Sequence, residues 1–153
     1  MDTPEEMWTA YLAAAPDVRD ARISYTAWHF CDNQRSADEL AELALRGVKR
    51  ATAGALWAYE LEGEALPLVG DHSIVTDYAG RPVCVIRTTG VEVVPFDCVT
   101  EEFAATEGEG DGSLAYWREA HWAAFTRELE VAGRRPELDM PVVCERFDVM
   151  YPR

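Results

Sequence analysis

The chain has 153 residues, a net charge of −14 at pH 7 and a calculated isoelectric point near 4.5. Its size suits a single domain, and its acidic balance excludes broad binding to long nucleic acids, whose phosphates are neutralised by lysine and arginine. The sequence has no apolar run of the ~20 residues that cross a membrane, and its first residues are acidic where a secretory signal is basic, so we expect a cytoplasmic protein of bacterial type.

The first predicted element is a helix that begins at a capping box. Thr3 is the expected N-cap, Pro4 the first helical residue and Glu6 the acidic partner three positions after the cap. Pro16 is expected to end this helix. Residues 22–30 then predict a strand, because they are rich in β-branched and aromatic side chains.

A second capping box, Ser36 with Glu39, predicts the start of a second helix. Gly47 is well placed as the left-handed residue that follows its last turn. Lys49 therefore leaves the helix on a short segment that packs against the fold. Residues 54–67 favour another short helix over a half-buried strand, because their apolar residues do not alternate cleanly.

The strongest strand signal of the chain lies in residues 73–96, with a turn at 78–81 and Gly90 as a bulge or bend. The remaining predicted elements follow in chain order: a short helix over 99–108, a glycine-rich loop over 108–112, a long helix from Ser113 to about Val131, and a closing strand over 140–151.

This order of elements predicts an α+β fold. Strands clustered in the middle and rejoined by the last one favour a mixed or barrel-like sheet over alternating β–α–β units. We expect one domain over residues 1–153, of which 1–20 form an N-terminal helical extension. Motifs of dinucleotide-binding proteins, P-loop proteins and HExxH zinc proteases are absent. Four widely spaced cysteines exclude a paired zinc site and predict buried free thiols.

Lys49 is the only lysine of the chain, beside thirteen arginines. Arginine stays protonated, whereas burial or nearby positive charge can lower the pKa of lysine until it acts as a base. Arg46 and Arg50 flank Lys49 and favour such a decrease. Thr52, three residues on, offers a hydroxyl that an amine base can activate as a nucleophile. The simpler alternatives are a surface lysine kept by chance and an ordinary turn or strand threonine.

Three carboxylates, Glu107, Glu109 and Asp111, alternate with glycines before the long helix. Such a loop can hold a general acid or base, or a hard cation such as Mg²⁺ or Mn²⁺. Its acidic residues can equally cap the helix that begins at Ser113, since negative charge is favourable at a helix N-terminus. Both interpretations stay open.

Aromatic and basic residues complete the candidate set. Trp28, with Trp57 and Tyr59, can stack on a nucleobase or belong to the core. Arg118 can bind phosphate or pair with an acidic residue of the preceding loop. His121 lies on the apolar stripe of the long helix, which favours a buried core histidine.

The segment GVKRAT (47–52) matches the G-x-K-x-x-T signature of ASCH domains. Together with EGEGD (107–111) and WREAH (117–121), it resembles the longer bacterial branch of that family, over roughly residues 28–150. ASCH domains are small PUA-like β-barrel proteins linked to RNA. The resemblance implies a PUA-like mixed β-barrel flanked by helices, with the lysine loop at the mouth of a cleft. Cys31 stands where this branch more usually has glycine.

The resemblance implies two hydrolytic activities. One is an amidohydrolase that deacetylates acetylated cytidine through Lys49, Thr52 and Glu107. The other is a metal-dependent ribonuclease of single-stranded RNA in which Lys49 is essential, and we favour it slightly. A non-catalytic RNA- or nucleotide-binding module is the third alternative.

The expected partners are RNA or a nucleoside or nucleotide, without long double-stranded nucleic acid or a membrane. Arg46, Arg50, Trp28 and Arg118 are the expected substrate-binding residues. Glu109 and Asp111 are the expected ligands of a divalent cation, Mn²⁺ or Mg²⁺.

Overall fold

The structure is a computed structural model that describes residues 1–15 and 23–153. Pro16, the predicted end of the first helix, and Arg22, the first residue of the first predicted strand, lie outside the described residues. Within the described ranges, no helix is long and apolar enough to cross a bilayer.

The described residues form five α-helices and five β-strands, which follow the predicted order except for the strand over Ala51–Ala55, which was not predicted. The helices are α1 (Pro4–Ala14), α2 (Gln34–Leu45), α3 (Leu56–Glu62), α4 (Glu101–Glu107) and α5 (Leu114–Glu130). The strands are β1 (Tyr25–Trp28), β2 (Ala51–Ala55), β3 (His72–Thr76), β4 (Pro82–Pro95) and β5 (Pro141–Tyr151).

The strands form one mixed sheet in the order β1-β3-β4-β5-β2. β1 and β3 run parallel, and the other neighbours are antiparallel. The α+β class and the mixed sheet are therefore confirmed. The sheet is open, because β1 and β2 are its two edges and the described residues do not pair them. The expected barrel is therefore not closed among the described residues.

The long antiparallel pair β4–β5 is the centre of the sheet. Its register shifts between Thr88 and Gly90, which confirms the bulge predicted at this glycine. The helix predicted over residues 54–67 is wrong at both ends. Residues 54 and 55 belong to β2, and the observed helix, α3, ends at Glu62.

Helix caps explain where α1 and α2 begin. In α1, the Thr3 hydroxyl accepts from the Glu6 amide and the Glu6 carboxylate accepts from the Thr3 amide, as predicted. In α2, the predicted Ser36 cap is wrong. Asn33 is the N-cap and its side chain accepts from the Ser36 amide at 2.9 Å, because asparagine is as good a cap as serine and lies three residues earlier.

The end of α2 places the lysine segment. Gly47 has a φ of +76°, as predicted for the residue after the helix. The amides of Val48 and Lys49 both donate to the Leu43 carbonyl, at 3.0 and 3.1 Å. The amide of Arg50 then donates to Thr106 in α4. The chain is therefore bound to α2 on one side of Lys49 and to α4 on the other.

The four cysteines are free thiols, as predicted. Cys84 and Cys144 are buried in the sheet, whereas Cys31 and Cys98 are exposed. The prediction of burial is wrong for those two, because both lie in connections between regular elements rather than on an inward-facing strand position.

Candidate functional site

Lys49 is fully buried, with 0% of its surface exposed. Its ammonium donates three hydrogen bonds: to the Ala51 carbonyl at 2.8 Å, to Glu107 Oε2 at 3.0 Å and to Glu109 Oε1 at 2.8 Å. An ammonium has three protons, so its donor capacity is fully used. The lysine and the acidic loop, 58 residues apart in sequence, thus form one buried cluster.

The backbone of the acidic loop holds the carboxylates against the lysine segment. Glu107 is the last residue of α4, and Gly108 follows it with a φ of +67°. A Cβ atom at Gly108 would collide with the Val48 carbonyl. Only glycine allows this close approach without strain, which explains the first glycine of the EGEGD motif.

Glu107 is the centre of the cluster, and its carboxylate is 1% exposed. Its Oε1 accepts from Trp117 Nε1 at 2.7 Å and lies 3.2 Å from His121 Nε2. Burial alone would raise the pKa of this carboxyl. Lys49 and His121 outweigh burial and hold the pKa well below its usual range. Glu107 is therefore a stable carboxylate.

His121 is buried, as predicted, and it also belongs to this cluster, which the sequence did not indicate. Its Nδ1 donates to the Trp117 carbonyl at 2.9 Å, and its ring stacks on Trp117 with centroids 4.2 Å apart. Burial lowers the pKa of His121, but Glu107 outweighs it and the net pKa is raised. The usable signal was the four-residue spacing of Trp117 and His121 on α5, which places both side chains on one helical face.

Lys49 stays protonated in this arrangement. Burial lowers its pKa, but Glu107 and Glu109 outweigh burial and raise it overall. The predicted decrease caused by Arg46 and Arg50 is wrong, since both of those side chains are exposed while the ammonium is enclosed by carboxylates.

A cleft of about 780 Å³ opens beside the cluster. β2, α3, α5 and the connection after β1 supply its walls. The Phe30 ring closes the cleft over the lysine, with its centroid 4.8 Å from Nζ. The lining includes the cluster residues Glu107, Glu109 and His121 and the aromatic residues Trp28, Tyr59 and Tyr116.

Thr52 lies on β2 and lines the same cleft. It follows Ala51, whose carbonyl accepts from the Lys49 ammonium, and it pairs with Glu145 of β5. Among the described residues, its hydroxyl is not a partner of the ammonium. The structure thus brings Thr52 to the wall that the cluster shares, without a direct hydrogen bond to Lys49.

The predicted substrate-binding residues are separated by the fold. Trp28 lines the cleft and packs edge-on against Phe30, with centroids 5.0 Å apart. Arg46, Arg50 and Arg118 are exposed and do not line it.

The arginine that lines the cleft is Arg127, which pairs with Asp32 at 3.5 Å. Sequence patterns did not single out this pair, because its two residues are 95 positions apart and neither belongs to a motif.

Asp111 lies outside the cluster. It is exposed, and its carboxylate accepts from the Ser113 amide at 2.9 Å, which lowers its pKa. This contact favours the helix-capping interpretation for Asp111. Glu107, Glu109 and His121 instead offer possible ligand atoms within 4.8 Å of one another.

The cluster's own contacts weigh against a cation between these side chains. Both oxygens of Glu107 already accept from protein donors, and Glu109 accepts from Lys49. A metal ion would have to displace the ammonium. The grouping alone does not indicate a cation, since acidic groups of this kind are common without one.

A family model described as ASCH domain matches residues 26–151 of the chain. None of the curated proteins matches it.

Solved structures show the same similarity. The structure of an ASCH domain from Lactobacillus crispatus is 39% identical, with a TM-score of 0.91 over 97% of this chain and 94% of that one. A protein from Enterococcus faecalis is 34% identical, with a TM-score of 0.83 over 95% of this chain and 86% of that one. A hypothetical protein at 16% identity, with a TM-score of 0.51 over 82% of this chain and 96% of that one, shares the fold alone.

Proposed function

The chain belongs to the ASCH domain family, and from that premise we propose that it is a hydrolase that cleaves an amide on a modified pyrimidine nucleoside. ASCH domains are associated with RNA, and acetylated cytidine is a component of RNA that fits this chemistry. The observation that carries the proposal is the buried contact of the Lys49 ammonium with Glu107 and Glu109, beside a cleft that Thr52 also lines.

The geometry supports amide hydrolysis better than the ribonuclease that the resemblance alone favoured. A lysine that stabilises phosphoryl charge must direct a donor at the phosphate. The Lys49 ammonium is enclosed, and its three protons go to protein acceptors. Arg46, Arg50 and Arg118, the other expected phosphate ligands, do not line the cleft.

Lys49 needs a proton acceptor before it can act as a base. Glu109 is the suitable acceptor, because it bonds to the ammonium and lines the cleft. When a ligand excludes water, the ion pair can become a neutral pair, since desolvation disfavours both charges. Glu107, whose pKa is held low, stays ionised and orients the amine. This scheme gives Glu109 the proton transfer that the resemblance assigned to Glu107.

The proposed reaction then proceeds in two displacements. The Thr52 hydroxyl attacks the acetamide carbonyl and its proton passes to the Lys49 amine. The C–N bond breaks, the leaving amine takes that proton, and the acetyl group remains as an ester on Thr52. Water attacks the ester and gives one proton to Lys49, which passes it to Thr52 as acetic acid leaves and ionises to acetate in solution. Glu109 then returns its proton to Lys49, so both residues end in their starting states.

The test is incubation of the pure protein with acetylated cytidine and, separately, with short single-stranded RNA, each with Mn²⁺ or EDTA. We expect acetate release that is indifferent to EDTA and is lost in Lys49→Arg and in Thr52→Ala. Thr126→Ala is the matched control and should keep full activity, because this threonine is exposed on α5 and outside the cleft.

A metal-dependent ribonuclease is the second candidate, because the family resemblance implies it, although the grouping of Glu107, Glu109 and His121 is not itself evidence for a cation. RNA cleavage that requires Mn²⁺, without acetate release, would support it against the amidohydrolase. Binding of a pyrimidine ligand without turnover of either substrate would instead indicate a non-catalytic module.

A further inference from the structure

The lining of the cleft is strongly acidic. Seven carboxylate side chains contribute to it: Asp32, Glu39, Glu62, Glu64, Glu107, Glu109 and Glu128. The arginine and lysine at this surface are Arg127 in the lining and Lys49 behind it, and the histidines His29 and His121 also line the cleft. The negative potential of such a cleft is stronger than that of an open surface, because its low-dielectric walls focus the field.

Most of these carboxylates have a cationic neighbour. Lys49 contacts Glu107 and Glu109, as described above, and Arg127 pairs with Asp32.

Glu39, at the opposite rim, pairs with Arg35 at 3.1 Å. Three carboxylates of the lining, Glu62, Glu64 and Glu128, form no salt bridge among the described residues, and we refer to them as the acidic trio. The charges of His121 and Arg127 offset that of Glu128 in part.

The acidic trio lies together at one edge of the cleft. Glu62 ends α3, Glu64 follows two residues later, and Glu128 lies on α5, which packs against α3. Desolvation raises the pKa of Glu64 and of Glu128, and in both cases the neighbouring charge of Glu62 raises it further. Desolvation and nearby carboxylates, the trio among them, raise the pKa of Tyr59 in the cleft wall to about 12. Glu62 thus repels both Glu64 and Glu128 at a surface that a ligand must approach.

We propose that Glu62, Glu64 and Glu128 are specificity-determining residues that admit uncharged nucleosides and free bases and exclude their phosphorylated forms. A phosphate monoester carries nearly two negative charges at neutral pH, and the arginine of the described lining, Arg127, is already paired with Asp32. The proposal rests on the proposed function, since it names the substrate class of the same cleft.

The test compares cytidine with cytidine 5′-monophosphate by calorimetric binding, and their acetylated forms by turnover. The wild type should prefer the nucleoside by at least about tenfold in both measurements. In the triple variant Glu62→Gln, Glu64→Gln, Glu128→Gln, the preference for the nucleoside should fall by about tenfold. The reason is that the variant should bind and turn over the monophosphate better than the wild type does. High salt should reduce the preference of the wild type and leave the triple variant unchanged, because salt screens the repulsion.

The matched control is a second triple variant, Glu60→Gln, Glu119→Gln, Glu130→Gln. These residues are exposed on the same two helices and do not line the cleft, so the net charge changes equally. This variant should keep the preference of the wild type. An equal loss in both variants would show that total charge, and not the acidic trio, sets the preference.

The outcomes separate this proposal from the proposed function. If cytidine binds better than its monophosphate but no acetate is released, the amidohydrolase fails and the charge selection stands. If acetate is released equally from both acetylated forms, the selection fails and the amidohydrolase stands. A protein that binds neither compound, or that prefers the monophosphate with or without Mn²⁺, overturns the selection.

Discussion

At the scale of single residues, position 49 shows why lysine and arginine are not interchangeable. The site supplies three acceptors around one nitrogen, which matches a compact ammonium. A guanidinium is planar and larger, distributes five donors over a fork and does not give up a proton. The single lysine of the chain therefore lies where the compact shape of its ammonium is needed, and the proposed reaction would also use its ability to exchange a proton.

Removing the Lys49 charge should destabilise the protein strongly. In Lys49→Met, Glu107 loses the cation that balances its buried charge, and we expect a loss of about 3–5 kcal/mol in the free energy of unfolding. Urea denaturation measures it. Arg46→Met is the control and should stay within about 0.5 kcal/mol, because Arg46 is exposed. A small effect of Lys49→Met would mean that Glu107 is solvated or protonated in the folded protein.

His121 should make the stability of the protein depend on pH near neutrality. Its pKa is raised above the unfolded value of ~6.5, so its contribution is complete below that pH and is lost as pH rises through the folded value. The lowered pKa of Glu107 acts in a separate window, below the unfolded value of ~4.3.

The measurement is the difference in unfolding free energy between the wild type and His121→Gln across neutral pH. This difference should shrink as pH rises. A difference that grows with pH would show that His121 is neutral in the folded state.

Cys31 occupies a backbone conformation that favours glycine. Its φ is +57°, in the left-handed region, where a side chain costs about 1 kcal/mol relative to glycine. Cys31→Gly should therefore raise the melting temperature by about 2–4 °C. Cys98→Gly, in the 3-10 turn after β4, should lower it, because it adds only chain entropy. A decrease in Cys31→Gly would show that the thiol contributes packing that outweighs the strain.

At the scale of elements, the acidic loop needs glycine at two positions for different physical reasons. Gly108 and Gly112 both have positive φ values, +67° and +74°. A Cβ atom at Gly108 would collide with the Val48 carbonyl, whereas one at Gly112 meets open space. The two positions therefore separate backbone strain from close packing.

Gly112→Ala should cost about 1 kcal/mol of left-handed strain. Gly108→Ala should cost the same ~1 kcal/mol of strain and about 1–3 kcal/mol more in the free energy of unfolding, because its Cβ atom would displace the Val48 carbonyl. It should also reduce acetate release, since the displacement moves Glu107 away from Lys49. Urea denaturation of both variants measures the cost in stability, and their turnover measures the loss of acetate release. Equal costs for the two would mean that the loop adjusts without strain.

The element order was predictable from local signals, and the site only in part. Caps, glycines and the spacing of apolar residues act over a few positions, so the helices and most strands followed from them. The short strand β2 did not, because its residues Ala51–Ala55 are small, and alanine and glycine are depleted in strands. The contact of Lys49 with Glu107 depends on the hydrogen bond of Arg50 to Thr106, which no periodicity contains. Only the family resemblance connected the two residues. The acidic trio was missed because its members come from α3, the residues after it, and α5.

At the scale of the whole molecule, the site lies where two packing layers meet. One hydrophobic cluster joins α4 and α5 to β2 and β5, and another joins α2 to β3 and β4. The lysine segment runs between them, with Phe147 of β5 donating its amide to the Arg50 carbonyl. A buried charge cluster is thus supported from both layers of the fold while the surrounding surface stays acidic.

The net charge of −14 should make the stability of the whole protein rise with salt. Like charges repel in the compact state, and the screening length falls from ~30 Å at 0.01 M salt to ~3 Å at 1 M. Added salt also weakens exposed ion pairs such as Arg35–Glu39, but this costs little stability, because each contributes at most about 1 kcal/mol.

The melting temperature in NaCl measures this, since sulfate and phosphate stabilise proteins regardless of charge. The variant Glu60→Gln, Glu119→Gln, Glu130→Gln reduces the net charge from −14 to −11, because three carboxylates become neutral. Its melting temperature should start higher and rise less steeply with NaCl than that of the wild type. Parallel slopes would show that the salt effect comes from ion binding or hydration and that the acidic surface does not limit the stability of the fold.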